Sequence, residues 1–133
     1  MNVFVDTSAF YAVLCSTDSN FSKAVVDWNR LVDDDAVTFF TSNYVIVESS
    51  ALIRHRLGDA ALHSFFDSLV PLTAVLWVDP KVHAAATEAM LLQGIDGPSL
   101  VDTSSFAIMR ENSISFAFAY DKHFDARGLV LPP

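Results

Sequence analysis

The feature that most limits what this chain can fold into is its start, where Val3-Phe4-Val5 runs straight into Asp6-Thr7-Ser8 and then an apolar helical stretch, Ala9 to Leu14. A short, partly β-branched apolar run without polar alternation reads as a strand covered on both faces. Strands of that kind belong to parallel sheets, whose neighbours are joined by helical crossovers. Asp6 therefore falls at the carboxyl end of a strand. In open α/β sheets that edge gathers loops and helix N-termini around a crevice where ligands bind. The plainer role for Asp6, Thr7 and Ser8 is capping of the following helix, so one acid here decides little without the rest of the chain.

The remaining sequence continues the alternation. Val25, Trp28, Leu31 and Val32 sit at helical spacing in a helix expected from Phe21 to Leu31, closed by the acidic turn Asp33-Asp34-Asp35. Ala36 to Phe40 reads as a strand, followed by caps Thr41, Ser42 and Asn43 and a helix from Tyr44 to Leu57 ending at Gly58. A further helix spans Asp59 to Leu69, stopped before Pro71. Ala74 to Val78 reads as a strand, and Pro80 opens a helix to Leu92 closed by Gly94. Beyond Pro98, a helix runs from Ser99 to Met109, Ser115 to Ala119 is a strand, and Leu129 to Leu131 is a short final one. The expected fold is a single α/β domain of Rossmann-like form over residues 1–133, with a mostly parallel sheet of four to five strands between helices.

Composition narrows the function. With 16 Asp and Glu against 8 Lys and Arg, the chain carries a formal charge of −8, the opposite of a passive nucleic-acid binder. Contact with nucleic acid then requires carboxylates that hold divalent cations and so invert the local field. The chain is 52% hydrophobic with mean hydropathy +0.36, an apolar excess that a partner or a second copy would cover. Acids interrupt every apolar stretch before membrane-spanning length. No leader pattern is visible, and the lone Cys15 suits a reducing compartment, so the expectation is a cytoplasmic protein with no membrane association.

Three further acids stand out by position. Glu48 has Tyr44, Val45, Ala51 and Leu52 as its helical neighbours, an apolar setting that is costly for a carboxylate unless it is paired, protonated or bound to a metal. A buried ion pair is the competing role, and the chain has few basic residues to supply one. Asp102 completes Ser99-Leu100-Val101-Asp102, a capping-box pattern, yet Asp102-Thr103-Ser104 also repeats the acid-hydroxyl-hydroxyl order of Asp6-Thr7-Ser8. Asp121 follows a strand within Tyr120-Asp121-Lys122-His123-Phe124 and has an ordinary loop cap as its plain role. One sheet edge can bring all four acids together.

With these residues the chain resembles the PIN-domain nucleases, especially the small toxins of bacterial VapBC-type toxin–antitoxin pairs. The resemblance is carried by Val5-Asp6-Thr7-Ser8, Val47-Glu48-Ser49-Ser50, Ser99-Leu100-Val101-Asp102 with Phe106, and Tyr120-Asp121-Lys122-His123-Phe124. It implies a Rossmann-like fold, with Asp6, Glu48, Asp102 and Asp121 as catalytic acids binding Mg²⁺ or Mn²⁺ for endoribonucleolytic cleavage. It also implies a cognate antitoxin protein and a homodimer. Ala119 departs from the family pattern, which often has Thr or Ser there to support the last acid. Thr7, Ser8 and Thr103 are candidates for a supporting shell around the acids, and Asp96 and Asp125 are nearby extras. Arg54, Arg56, Lys122, His123 and Arg127 are candidate contacts to the RNA backbone.

The chemistry is consistent with that resemblance. Crowded carboxylates raise one another's pKa unless cations neutralise them, and hard oxygen ligands suit Mg²⁺ or Mn²⁺. The four histidines lack the paired spacing of a zinc site. A haloacid-dehalogenase-like phosphatase needs a second Asp two residues after the first, where this chain has Ser8, and no phosphate-cradling glycine loop follows the first strand. The alternative of a different class is a receiver-like or other non-catalytic module whose acidic pocket merely binds a metal.

Overall fold

The computed structural model describes residues 1–132. Its strands are β1 (Asn2–Val5), β2 (Thr38–Ser42), β3 (Thr73–Leu76) and β4 (Phe116–Phe118). They form one parallel sheet in the order β3-β2-β1-β4. Val3, Phe4 and Val5 are all completely buried. Because successive strand residues face opposite sides, β1 must be covered above and below, as its unbroken apolar run requires. The flanking helices are α1 (Thr7–Leu14), α2 (Phe21–Val32), α3 (Asn43–Leu57), α4 (Asp59–Ser64), α5 (Pro80–Gln93), α6 (Leu100–Glu111) and α7 (Lys122–Asp125). Aromatic side chains knit the layers: Trp28 of α2 stacks on Phe39 of β2 at 5.1 Å and lies 6.2 Å from Phe118 of β4.

From β1 the chain steps outward to β2 and β3, then crosses back to place β4 on the other side of β1. The order of strands reverses there, and in α/β sheets such a reversal opens a crevice at the carboxyl edge. Asp6 follows β1 directly, and its backbone amide donates to the Phe118 carbonyl of β4 at 3.0 Å, tying the two strand ends together.

Several elements differ from the sequence expectations. β2 begins two residues later than Ala36, because the Asp34 carboxylate and carbonyl capture the amides of Ala36 and Val37 in a turn. β3 ends at Leu76 rather than Val78, since the Val78 amide donates to the Asn43 side chain at 2.7 Å. The helix expected to reach Leu69 is regular only to Ser64; a π-helical turn (Phe65–Leu69) and a 3₁₀ turn (Val70–Leu72) containing Pro71 follow. The last correction is topological. Leu129 to Leu131 form no strand: the Leu129 amide donates to the Phe124 carbonyl at 3.1 Å, closing the turn after α7, so β4 is an edge of the sheet.

Candidate active site

Asp6 caps α1. Its Oδ2 accepts from the Ser8 amide at 3.1 Å and from the Ser8 hydroxyl at 2.6 Å. Ser8 Oγ in turn accepts from the Tyr120 amide at 2.9 Å, so one hydroxyl fixes Asp6 against the chain leaving β4. The other oxygen, Oδ1, is buried with no hydrogen-bond partner. Burial pushes the Asp6 carboxyl up to about 7; the Ser8 hydrogen bonds oppose that rise, and the charges of Asp102 and Glu48 add to it.

Asp102 performs the cap that its sequence pattern announces. Its amide donates to Ser99 Oγ at 3.1 Å, and its Oδ2 accepts from the Ser99 amide at 3.3 Å. The side chain is nevertheless buried, and its pKa is raised, first by burial and then by the nearby Asp121 charge. Asp121 caps α7, with Oδ1 accepting from the His123 amide at 2.7 Å. Capping therefore engages one oxygen of each of these three aspartates. The cap and the site are compatible roles for the same side chain.

Glu48 projects from the middle of α3, half-buried. Among the described residues, ion pairs form at Asp27, Asp59 and Asp67 only, so the buried ion pair considered for Glu48 is not realised. An open cleft of about 380 Å³ brings Asp6, Glu48, Asp102 and Asp121 together, with Thr7, Ser8, Ser99 and His123 on its wall and Leu52 and Gly97 completing it. No Lys or Arg lines this cleft. Oxygens of Asp102 and Asp121 and a ring nitrogen of His123 lie within 4.8 Å of one another.

The other sequence candidates fall as follows. Thr7 lines the cleft, but its hydroxyl accepts from Ser49 at 3.0 Å and so locks α1 to the helix that bears Glu48. Thr103 is off the wall; its hydroxyl donates to carbonyls, including that of Ala86 at 3.2 Å, and ties α6 to α5. Asp96 is exposed and off the cleft wall, and Asp125 lines a separate cavity beside Lys23 and Tyr120. Arg54, Arg56, Lys122 and Arg127 are exposed and also lie off the wall, with Arg56 over the Tyr11 ring and Arg127 over Phe106. Gly97 carries no signal in the sequence, yet a Cβ there would meet Gln93 Cβ at 2.8 Å, so its bareness lets the wall close. His123 was legible as a basic residue. The signal for its place in the cleft is its two-residue spacing from Asp121.

Four carboxylates share one hollow that no Lys or Arg lines, and one oxygen is buried without a donor. Such an arrangement is unfavourable in itself and fits a divalent cation bound by hard oxygen ligands. A family model for the PIN domain matches residues 3–128. The chain belongs to the PIN domain family. Within it, this PIN domain is 32% identical over 129 residues to the 23S rRNA-specific endonuclease VapC20 of two Mycobacterium tuberculosis strains, covering 96% of this chain and 95% of theirs. Its structure superposes with a TM-score of 0.83 on the crystal structure of Mycobacterium tuberculosis VapC20, described as a sarcin-ricin loop cleaving toxin. That match has 30% identity and covers 98% of this chain and 99% of VapC20. The kinship is to a VapC-type PIN nuclease.

Proposed function

We propose that this PIN domain is an endoribonuclease dependent on Mg²⁺ or Mn²⁺ and acts as the toxin of a toxin–antitoxin pair. The observation that carries the reading is the convergence of Asp6, Glu48, Asp102 and Asp121 on one cleft whose wall carries no Lys or Arg. Full-length similarity to an rRNA endonuclease supports RNA as the substrate and makes 23S rRNA the first to test.

The four acids would hold the ion. When bound, it would offset the charge of the phosphodiester and lower the pKa of an attacking water. The protein's own contribution is orientation. Ser8 holds Asp6 through Oδ2 and leaves Oδ1 without a competing donor, and Ser99 holds Asp102 in the same one-sided way. Thr7 and Ser49 fix the distance between α1 and α3, and hence between Asp6 and Glu48.

An apolar groove of about 350 Å³ adjoins the cleft and shares Glu48 with it, lined otherwise by Asn43, Tyr44, Val47, Leu100 and Val101. It supports the antitoxin reading: an amphipathic segment would lie there and extend an arginine to the acids. The exposed Trp77, Leu91, Leu92 and Ile95 support a homodimer. Among the described residues no helix is long and apolar enough to cross a membrane, and RNA as substrate supports a cytoplasmic site of action.

The test is cleavage of single-stranded RNA and of 23S rRNA with Mn²⁺, with EDTA, and in Asp6→Asn. Metal-dependent cleavage lost in the folded variant is expected. A folded protein that cleaves nothing with Mn²⁺ and gains no melting temperature from it is instead a non-catalytic module. Co-expression with the product of an adjacent small open reading frame should suppress cleavage, and light scattering reads the dimer.

A further inference from the structure

His123 carries the only side-chain nitrogen on the cleft wall. Its backbone amide is engaged by Asp121 Oδ1 at 2.7 Å, which anchors the residue beside that carboxylate whatever its side chain does. The ring itself takes part in no ion pair among the described residues, although it stands within 4.8 Å of carboxylate oxygens from both Asp102 and Asp121. Donors so close that do not touch one another leave room between them. An ion about 2.1 Å from each octahedral ligand spaces those ligands by roughly 3 to 4.2 Å, and small side-chain rotations close the difference. Two of the three donors belong to aspartates whose capping hydrogen bonds, at 3.3 Å for Asp102 and 2.7 Å for Asp121, engage one oxygen and leave the other for another partner. Independently, Asp6 Oδ1 on the same cleft is buried and without a partner.

From this geometry we infer that His123 is a direct ligand of the divalent ion, joining Asp102 and Asp121 through a ring nitrogen. The inference rests on the metal-dependent reading given above and adds to the four acids a donor of different character. Carboxylates accept Mg²⁺ and Mn²⁺ alike, whereas imidazole favours transition metals over Mg²⁺. His123 thereby biases the site toward Mn²⁺.

The probe is Mn²⁺ alone, with the full chain. Pulsed EPR of wild-type protein should show nitrogen hyperfine coupling of an imidazole to bound Mn²⁺, a readout that needs no variant and no activity. His123→Gln should bind Mn²⁺ about tenfold more weakly, lose the coupling, and change Mg²⁺ affinity less, so that the preference for Mn²⁺ shrinks. The variant keeps the backbone bond to Asp121, and an unchanged metal-free melting temperature controls for folding. Bound Mn²⁺ without nitrogen coupling, or coupling that survives His123→Gln, overturns the assignment and leaves the ribonuclease reading standing. A raised KM for RNA with Mn²⁺ affinity unchanged makes His123 an RNA contact and also overturns it. Failure of the wild-type protein to bind Mn²⁺ overturns both.

Discussion

Asp27 on α2 and Asp6 at the end of β1 are both shielded acids, and Tyr120 touches the surroundings of each. They are treated in opposite ways. Asp27 receives Lys23 at 3.0 Å, Arg30 at 3.7 Å and the Tyr120 hydroxyl at 3.2 Å. Asp6 receives only Ser8, while Asp102 and Glu48 add like charge nearby. A chain with 8 basic residues thus places two on a structural carboxylate and none on the wall of a cleft with four. The difference teaches that the cleft is left short of positive charge by construction, and the short supply is what a divalent cation would satisfy.

The largest effect expected from this contrast is on activity. Asp6→Asn should lower RNA cleavage by at least about 100-fold, whereas Asp27→Asn leaves it unchanged; gel-based cleavage rates read both. Equal losses would erase the distinction. Glu48→Ala should likewise cut cleavage while leaving metal-free stability equal or higher, since removing one negative charge relieves the others. A Glu48→Ala protein that unfolds would mean that this acid supports the fold.

The next effect is on stability against pH. An unfolded aspartate releases its proton near about pH 4, but folded Asp6 holds it to about pH 7. Between those values the folded state binds the extra proton, so stability falls as pH rises through the window. Asp102, also raised, contributes in the same direction. Urea denaturation in EDTA should therefore show wild type losing up to a few kcal/mol from pH 5 to pH 8. Asp6→Asn should flatten much of that slope, and saturating Mn²⁺ should restore the lost stability in wild type.

Smaller still is the loss of the Ser8 hydroxyl. Ser8→Ala removes its bonds to Asp6 and Tyr120 and should cost about 1–2 kcal/mol, with reduced cleavage because Asp6 is freed to turn. The smallest expected effect is at the paired acid. Lys23 is mostly exposed, so Lys23→Ala should cost no more than about 0.5 kcal/mol, with cleavage intact.

The chain's pattern exposed much of this arrangement before any coordinates. β1 was readable because both of its faces are buried, which removes the polar alternation, and the positions of Asp6 and Asp121 at strand ends followed. Glu48 was readable because its helical neighbours are apolar. What escaped depended on partners distant in sequence or on local competition for amides. Leu129 to Leu131 has strand composition, yet the Phe124 carbonyl takes its first amide. Thr103 matches Thr7 in sequence context, but α5 lies beside it and accepts its hydroxyl. His123 reads as surface charge until α7 turns its ring toward Asp102 and Asp121.

Calorimetric titration of Mn²⁺ into metal-free wild type, Asp6→Asn and Asp27→Asn at neutral pH is the most direct test of the contrast. Saturable binding to wild type and Asp27→Asn, abolished or strongly weakened in Asp6→Asn, is the expected result. Absence of binding to wild type, or binding that is indifferent to Asp6, would contradict it.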